Sequence, residues 1–172
     1  MTTMLKVDLG HLARQHRVRI DDDVPADDAL WEALPWRFDG PVALRLDVQQ
    51  AGGDVVVRGT VQGKAELTCR RCLTPVHHEM DEDLTFLYRS GVQPVEAEAE
   101  EVYPLPERGG ELDLTQAIRE HVLLAVPEFV ACDEACRGFC PRCGANLNET
   151  SCECRMEEED PRWAALRRLR SE

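Results

Sequence analysis

The sequence has few aromatic residues and no long hydrophobic run. Phe, Trp and Tyr make up 5% of its 172 residues, although hydrophobic residues as a whole reach 43%. The chain can therefore bury a core, and that core is expected to consist mostly of Val, Leu and Ala. No stretch approaches the roughly 20 apolar residues of a membrane span, and the N-terminus lacks the hydrophobic core of a secretion signal. We therefore expect a cytoplasmic protein with no membrane partner.

The sequence also lacks the motifs that usually identify an enzyme. It contains no phosphate-binding glycine loop and no nucleophile elbow, and none of its five histidines stands in a HExxH motif. His121 is expected to be structural, whereas His77 or His78, close to Cys72 in sequence, could be a metal ligand. We predict no catalytic residues, no small-molecule substrate and no enzymatic activity.

Positive charge is scarce. The chain has 33 acidic and 20 basic residues, and its net charge is -13. The mean field of such a protein does not attract a polyanion, so broad phosphate binding is disfavoured and a basic partner, such as a ribosomal protein, is favoured. The basic side chains that are present form two clusters, at Arg70 and Arg71 and at Arg162, Arg167, Arg168 and Arg170. Local contact with RNA through them stays open.

Residues 41–90 alternate between apolar and polar side chains, which is typical of half-buried strands. Gly52-Gly53-Asp54 marks a hairpin turn, and a second turn holds the segment from Cys69 to Cys72. Because short turns join strands that are consecutive in sequence, we predict an antiparallel β-meander here.

The first forty residues give a weaker pattern. Residues 5–9 and 18–20 alternate, so two short strands are expected. The aspartates at 21–23 and Pro25 are expected to end the second strand, and a short helix or turn is expected over residues 26–34.

Acidic residues and prolines follow the meander, and residues 91–110 are predicted to form a solvated loop. Asp113 then predicts the cap of a helix near 114–125, with Gln116 completing a capping box. Pro127 is expected to end this helix.

The C-terminal end carries a second helical pattern, which begins with the cap and first-turn pair Asp160-Pro161. Its apolar side is formed by Trp163, Leu166 and Leu169. The sequence thus predicts an α+β fold: an antiparallel β-meander with a helix, a cysteine-rich zinc module and a C-terminal helix. The expected organisation is an α+β domain over residues 1–130 and a zinc module with the C-terminal helix over residues 131–172.

Eight cysteines in a reducing compartment indicate metal binding rather than disulfides. Cys140-Pro141-Arg142-Cys143-Gly144 brings two thiolates into one tight turn, and Cys152-Glu153-Cys154 supplies a second close pair. Four thiolates complete a tetrahedral shell with no open position, so we predict a structural Zn2+. The predicted ligands are Cys140, Cys143, Cys152 and Cys154.

The other four cysteines leave several interpretations open. Cys132 and Cys136 could replace either pair of the first site, or could join Cys69 and Cys72 across the fold in a second zinc site. Cys69 and Cys72 could also be a redox dithiol, although such motifs normally open a helix in a βαβ unit. They could equally be two thiols in a basic turn.

Arg70 and Arg71 lie between those two cysteines. Adjacent side chains diverge in a tight turn, so at least one guanidinium is expected to face solvent, where it could bind a phosphate or carboxylate of a partner. Replacing both arginines with Glu is then expected to leave the fold intact. The alternative is that they pair with Glu66 or Glu79.

Several of these segments resemble the YceD family. The resemblance is carried by Cys69-Arg70-Arg71-Cys72-Leu73, by Glu111-Leu112-Asp113-Leu114, by residues 138–148 and by residues 160–166. It implies a ribosome biogenesis role in the synthesis, processing or stability of large-subunit ribosomal RNA. The implied partner is that RNA, a basic ribosomal protein, or both. Two rival functions remain, a zinc-stabilised protein-interaction adaptor unrelated to ribosomes and a thiol redox sensor.

Overall fold

The computed structural model describes residues 5–91, 102–106 and 110–154. The N-terminal elements are β1 (Lys6–Asp8), α1 (Leu9–Gln15), β2 (Arg17–Val24), a 3-10 turn (Ala29–Trp31) and β3 (Arg37–Phe38). The long strands are β4 (Val42–Ala51), β5 (Asp54–Thr68) and β6 (Pro75–Arg89). The remaining elements are β7 (Val102–Pro104), β8 (Glu111–Asp113) and α2 (Thr115–Ala125).

Strands β4, β5 and β6 form the predicted antiparallel meander. The order in the six-stranded sheet is β2-β4-β5-β6-β7, and β3 pairs with β5. All of these pairs are antiparallel except β6 with β7. Together with α2, this sheet confirms the α+β fold class.

The core lies on one face of the sheet. The buried residues of β4 are Val42, Leu44, Leu46 and Val48. Every second side chain of a strand points to the same face, so the alternation in the sequence predicts this set. Helix α2 packs on that face against β6, and it buries Ala117, Ile118 and Val122.

The predicted helix near 114–125 is confirmed, although its cap differs in detail. The carboxylate of Asp113 accepts the backbone N–H of Thr115 at 2.9 Å, and Leu114 occupies the N-cap position. Gln116 is therefore one residue too close to the cap to reach back, and its amide donates instead to Glu120 at 2.8 Å. The capping-box prediction is wrong.

Strand β2 is longer than the sequence predicts. The expectation that the aspartates at 21–23 end it is wrong, since β2 runs to Val24. Arg45 on the neighbouring strand β4 pairs with Asp21 at 3.5 Å and with Asp23 at 2.9 Å. This cross-strand cation offsets the charge that makes a run of aspartates unfavourable in a strand.

Leu9 does not continue the first strand but begins α1. The carboxylate of Asp8 accepts the backbone N–H of His11, which satisfies one of the free donors at the start of a helix. His16 ends the helix with φ of 60°. The cap at Asp8 therefore starts a helix where the alternation over residues 5–9 predicts a strand. The strand itself has three residues, Lys6–Asp8.

Part of the predicted acidic loop is a strand. Val102–Pro104 pairs in parallel with Leu87–Arg89, and Val102 is buried. Tyr103 stacks near Tyr88, with 5.3 Å between the ring centroids. Apolar and aromatic contacts thus hold this segment on the sheet.

Other sequence predictions fall outside the described residues. These are the C-terminal helix from Asp160, the arginine cluster within it and the acidic stretch at 92–101. The division at residues 130 and 131 stays a prediction. Within the described ranges, no helix is long and apolar enough to cross a membrane.

Candidate metal centres

The eight cysteines gather into two groups of four. The hairpin centre consists of Cys69, Cys72, Cys132 and Cys136, and the knuckle centre consists of Cys140, Cys143, Cys152 and Cys154. Within each group the four Sγ atoms lie within 4.8 Å of one another, and all eight thiols are free. Each group could therefore hold a metal ion.

The hairpin centre joins two segments of the chain whose cysteines are as much as 67 residues apart. Its first pair lies in the turn between β5 and β6, and its second pair follows α2. Beside the thiols, the backbone N–H of Arg70 donates to the carbonyl of Val130 at 2.9 Å. A metal ion here would fasten the segment after α2 to the tip of the β5–β6 hairpin.

The sulfur spacing of the hairpin centre fits one tetrahedral ion. Thiolates that bind a common Zn2+ at about 2.3 Å lie roughly 3.8 Å apart. The Sγ atoms of Cys69 and Cys136 are 3.9 Å apart, and those of Cys72 and Cys132 are 3.4 Å apart. These distances exceed the roughly 2.05 Å of a disulfide bond. The four donors are thus arranged around the position of a single ion.

The turn itself favours thiolates. The backbone N–H of Cys72, followed by that of Arg71, lowers the pKa of Cys69 to about 6. The N–H of Arg71 lies 3.4 Å from that sulfur. Thr74, whose hydroxyl is 3.2 Å from the sulfur of Cys72, lowers the pKa of Cys72. Two ligands are therefore prepared for a cation before it binds.

The pKa of Cys132, on the other segment of the hairpin centre, is shifted in the opposite direction. The sulfur of Cys72, and after it that of Cys136, raises the pKa of Cys132 to about 12. A further negative charge is unfavourable beside thiolates that have no cation between them. A bound metal ion reverses this effect, because a coordinating thiol loses its proton. The donor set therefore fits a divalent cation.

The knuckle centre is built from one short stretch of chain. The backbone N–H of Gly144 donates to the carbonyl of Cys140 at 2.9 Å, and that of Cys140 donates to Ala145 at 2.8 Å. The backbone N–H of Cys143 has the largest effect in lowering the pKa of Cys140 to about 6. The sulfur of Cys143 raises the pKa of Cys154 to about 12. Both centres thus share the same electrostatic pattern.

Arg71 connects the two centres. Its Nη1 donates to the carbonyls of Cys136 at 2.8 Å and Glu134 at 3.4 Å. Its own carbonyl accepts the N–H of Phe139 at 3.2 Å. A Cβ on Gly138, which has φ of 69°, would lie 2.9 Å from that carbonyl oxygen. Glycine at this position therefore allows the two segments to approach each other.

Both arginines of the turn lie at the surface, but they are not equivalent. Arg71 makes the contacts described above, whereas the guanidinium of Arg70 lies over the ring of Phe129, 5.6 Å from its centroid. Glu66 pairs with Arg37 at 3.6 Å rather than with either of them. Replacing both with Glu is thus no longer expected to leave the fold intact, because Arg71 holds two carbonyls. Partner binding by Arg70 and Arg71 stays a prediction.

We expect Arg71→Ala to lower the free energy of unfolding by about 1–3 kcal/mol, because two carbonyls beside the hairpin centre lose a charged donor. Arg70→Ala is the matched control and should cost less than about 1 kcal/mol, the range of an exposed cation–π contact. Chemical denaturation of the metal-loaded variants measures both. Equal losses would show that the guanidinium of Arg71 does not hold this segment.

Asn148 is a residue of the site that the sequence did not reveal. Its Nδ2 donates to the sulfur of Cys136 at 3.3 Å, and its Oδ1 accepts the N–H of Arg137 at 2.7 Å. It thereby links the knuckle segment to the hairpin centre. No spacing rule identifies it, because the contact exists only after the loop has folded.

His77 and His78, the histidines near the hairpin turn, do not contribute ligands to the hairpin centre. His77 pairs with Asp39, with 3.4 Å between Nδ1 and the carboxylate. Within the described ranges, neither His77 nor His78 belongs to a group that could hold a metal ion. The structure therefore offers sulfur ligands alone at both centres.

Comparison with known proteins finds one matching family and several similar sequences. The sequence profile of "Large ribosomal RNA subunit accumulation protein YceD" matches residues 57–170. The chain is 29% identical over 158 residues to "Large ribosomal RNA subunit accumulation protein YCED homolog 1, chloroplastic" of Arabidopsis thaliana, covering 77% of this chain and 49% of the relative. It is 35% identical over 125 residues to an uncharacterized protein of Mycobacterium tuberculosis, covering 72% of this chain and 59% of the relative.

The chain thus spans between 49% and 59% of the length of these two curated relatives. No solved structure matches it. The matched range begins in β5 and includes both centres, which is more than half of the chain. The chain therefore belongs to the YceD family of large ribosomal RNA subunit accumulation proteins.

Proposed function

We propose that this protein is a non-catalytic ribosome biogenesis factor that supports the synthesis, processing or stability of large-subunit ribosomal RNA. Family membership carries the proposal, since the names of the family and of its plant relative describe accumulation of that RNA. Eight free thiols suit a reducing compartment, so we place the protein in the cytoplasm.

We propose that each centre holds one Zn2+. Tetrahedral sets of four thiolates select zinc or iron–sulfur chemistry. The sulfur separations of 3.4 and 3.9 Å in the hairpin centre suit a single ion, and the four sulfurs of the knuckle centre lie within 4.8 Å of one another. Four protein ligands leave no position for a substrate, so the metal would hold the chain together rather than catalyse a reaction. Both metal ions would thus have a structural role.

The proposed partner is large-subunit RNA, a basic ribosomal protein, or both. Near the hairpin centre, Arg70 lies over Phe129, and Phe129 and Leu73 are each 64% exposed. Exposed aromatic and aliphatic side chains beside a cation are common in contact surfaces. A zinc ion at the hairpin centre would hold these side chains in a fixed arrangement.

Ribosome profiles of a strain that lacks the gene test this function. We expect large-subunit RNA to fall relative to small-subunit RNA, and the intact gene should restore it. A gene carrying Cys136→Ser should fail to do so, whereas one carrying the exposed neighbour substitution Ala135→Ser should succeed. A normal amount of large-subunit RNA in the deletion strain would count decisively against the proposal.

A thiol redox sensor is the second candidate, and the lowered pKa values of Cys69 and Cys140 favour it. Thiolates are the form of cysteine that oxidants attack. The third candidate is a zinc-stabilised protein-interaction adaptor unrelated to ribosomes. If ribosomes are normal in the deletion strain, metal content before and after mild oxidation distinguishes the sensor from the adaptor. Rapid metal release in a protein whose loss leaves ribosomes normal would support the sensor, whereas retained metal with normal ribosomes would support an adaptor.

A further inference from the structure

Strand β6 leaves most of one edge open. On one side β5 pairs with it from Pro75 to Tyr88. On the other side β7 pairs only with Leu87–Arg89. In the part of the chain that the structure describes, no other strand pairs with β6, so the edge from Pro75 to Phe86 has no strand beside it there. A long open edge is a template for a further strand.

The hairpin turn fixes which backbone groups face this edge. The N–H of Cys69 donates to the carbonyl of Thr74 across the end of the β5–β6 pair. Bonded and non-bonded pairs alternate along an antiparallel ladder, so even-numbered residues of β6 bond to β5 and odd-numbered ones point outward. The carbonyl of Arg89 accepts the N–H of Leu105 on that outer side, as this assignment requires. The residues that present both backbone groups at the open edge are His77, Glu79, Asp81, Asp83 and Thr85, and Pro75 presents its carbonyl alone.

Three consecutive outward residues of this edge carry acidic side chains. Glu79, Asp81 and Asp83 are all exposed, and Glu82 points to the opposite face between them. Among the described residues, none of the four carboxylates has an ion-pair partner. The amide of Gln62 donates to Asp81 at 2.8 Å. The described part of the chain therefore supplies no ion pair to these carboxylates, and the ammonium of Lys64, the cross-strand neighbour of Glu79, lies 4.0 Å from Asp39 instead.

The other outer strand of the sheet, β2, differs in this respect. Arg45 pairs with Asp21 and Asp23 of β2 at 3.5 and 2.9 Å. Arg17 of β2 itself binds Asp47 of β4. Among the described residues, acidic side chains without an ion-pair partner thus distinguish the β6 edge from the β2 edge.

We propose that the open edge of β6 binds an extended lysine- or arginine-rich segment of a partner protein as an additional β-strand. Backbone hydrogen bonds to residues 77–83 supply the affinity, and cationic side chains at alternate positions meet the carboxylates of Glu79, Asp81 and Asp83. The inference deepens the proposed function by giving the protein partner a chemistry, and it rests on that function only for its biological setting.

Charge separates this occupant from the others. A second copy of the chain would place carboxylates opposite carboxylates, which destabilises a ladder. The phosphates of RNA would be repelled by the same side chains. The acidic stretch that precedes β7 carries the same sign of charge, at Glu96, Glu98, Glu100 and Glu101. A basic strand is the occupant that gains from both the backbone and the side chains.

The test uses the full-length, zinc-loaded protein and two fluorescent peptides of about eight residues, a common strand length. One peptide alternates Lys and Val. The other has the same sequence with every backbone nitrogen methylated, so it has the same charge but no N–H with which to form a ladder. We expect the Lys-Val peptide to bind at least about tenfold more tightly, a difference that anisotropy resolves. Equal affinity, or no binding of the Lys-Val peptide, would overturn the proposal.

Hydrogen exchange of individual backbone amides is a second test of the proposed strand pairing. Binding should slow exchange of the outward amides at Glu79, Asp81 and Asp83, while the amides of Met80 and Glu82 are already protected by β5. Slow exchange of the outward amides in the free protein would instead show that another segment of the chain covers the edge, and would overturn the proposal.

Two pairs of variants distinguish the contribution of the carboxylates to peptide binding from that of the backbone hydrogen bonds. Asp81→Lys with Asp83→Lys should weaken Lys-Val binding at least about tenfold, whereas Asp21→Lys with Asp23→Lys on β2 should not. Asp81→Pro removes an outward N–H and should weaken binding more than Asp81→Ala, which removes the same carboxylate. Circular dichroism checks that each variant folds. If the proline variant does not fold, the two double lysine variants still test the proposal. Unchanged affinity of Asp81→Lys with Asp83→Lys for the Lys-Val peptide would refute binding at the β6 edge.

The peptide assay and the ribosome profile can fail independently. If the peptide does not bind but large-subunit RNA is reduced in the deletion strain, the proposed function is supported and the proposed binding at the β6 edge is refuted. Tight binding of the Lys-Val peptide with normal ribosomes in the deletion strain would support binding at the β6 edge and refute the proposed function.

Discussion

Exchange of Cys136 for serine is expected to release one of two metal ions per chain and to lower the free energy of unfolding by about 3 kcal/mol or more. Cys136 is 5% exposed, and its sulfur lies 3.9 Å from that of Cys69. Serine supplies no thiolate, and the remaining three sulfurs cannot complete the tetrahedral shell. The segment after α2 then loses its fastening to the β5–β6 hairpin.

In a chain of this size, a loss of about 3 kcal/mol lowers Tm by roughly 6–12 °C. Elemental analysis of protein purified without a chelator measures the metal, and circular dichroism measures the melting. Ala135→Ser is the matched control, because it adds a hydroxyl at an exposed position next to the ligand. Two equivalents of metal and wild-type melting in Cys136→Ser would show that the hairpin centre does not bind metal.

The two centres should differ in their effect on the sheet. Cys152→Ser should also cost one equivalent of metal, but it should change the melting of the sheet less. The knuckle centre closes a short local loop, whereas the hairpin centre closes a loop that includes β6 and α2. In the chain-entropy view, a longer closed loop gives the larger stabilisation.

Gly59→Ala should destabilise the protein by about 3 kcal/mol or more, at the upper end of the range for overpacking. Gly59 lies opposite Leu46 of β4 and Leu84 of β6 in the centre of the sheet. A Cβ there would lie 2.0 Å from the carbonyl oxygen of Arg45 and 2.9 Å from the Cα of Leu46. Both are backbone atoms, so β4 and β5 would have to separate.

Gly63→Ala is the control for this substitution, because Gly63 lies in the same strand. Its Cβ would lie 3.3 Å from the ring of Phe38 and 3.3 Å from Cγ2 of Val42. Side chains can shift by a few tenths of an ångström, so we expect a loss below about 1.5 kcal/mol. Thermal melting and the amount of soluble protein compare the two. Equal, small losses would mean that the strands at Gly59 separate easily.

Local patterns in the sequence were reliable where one interaction dominates. The alternation over residues 41–90 predicts the antiparallel strands, because a half-buried strand must place every second side chain in the core. The helix near 114–125 follows from its apolar spacing in the same way. The prediction is less accurate where polar groups compete, since Asp8 starts a helix and Arg45 keeps residues 21–23 in a strand.

The sequence by itself predicted the β4–β6 meander and helix α2, and it gave Cys140, Cys143, Cys152 and Cys154, whose pairs are neighbours along the chain, as the first choice of ligands. Only the tertiary structure decided that Cys132 and Cys136 meet the turn of Cys69 and Cys72, since that choice depends on where α2 ends relative to the β5–β6 hairpin. The same holds for the contacts of Arg71 and for the open edge of β6. Chain-local spacing fixes which groups can meet within a turn, whereas strand order and packing fix which distant groups meet.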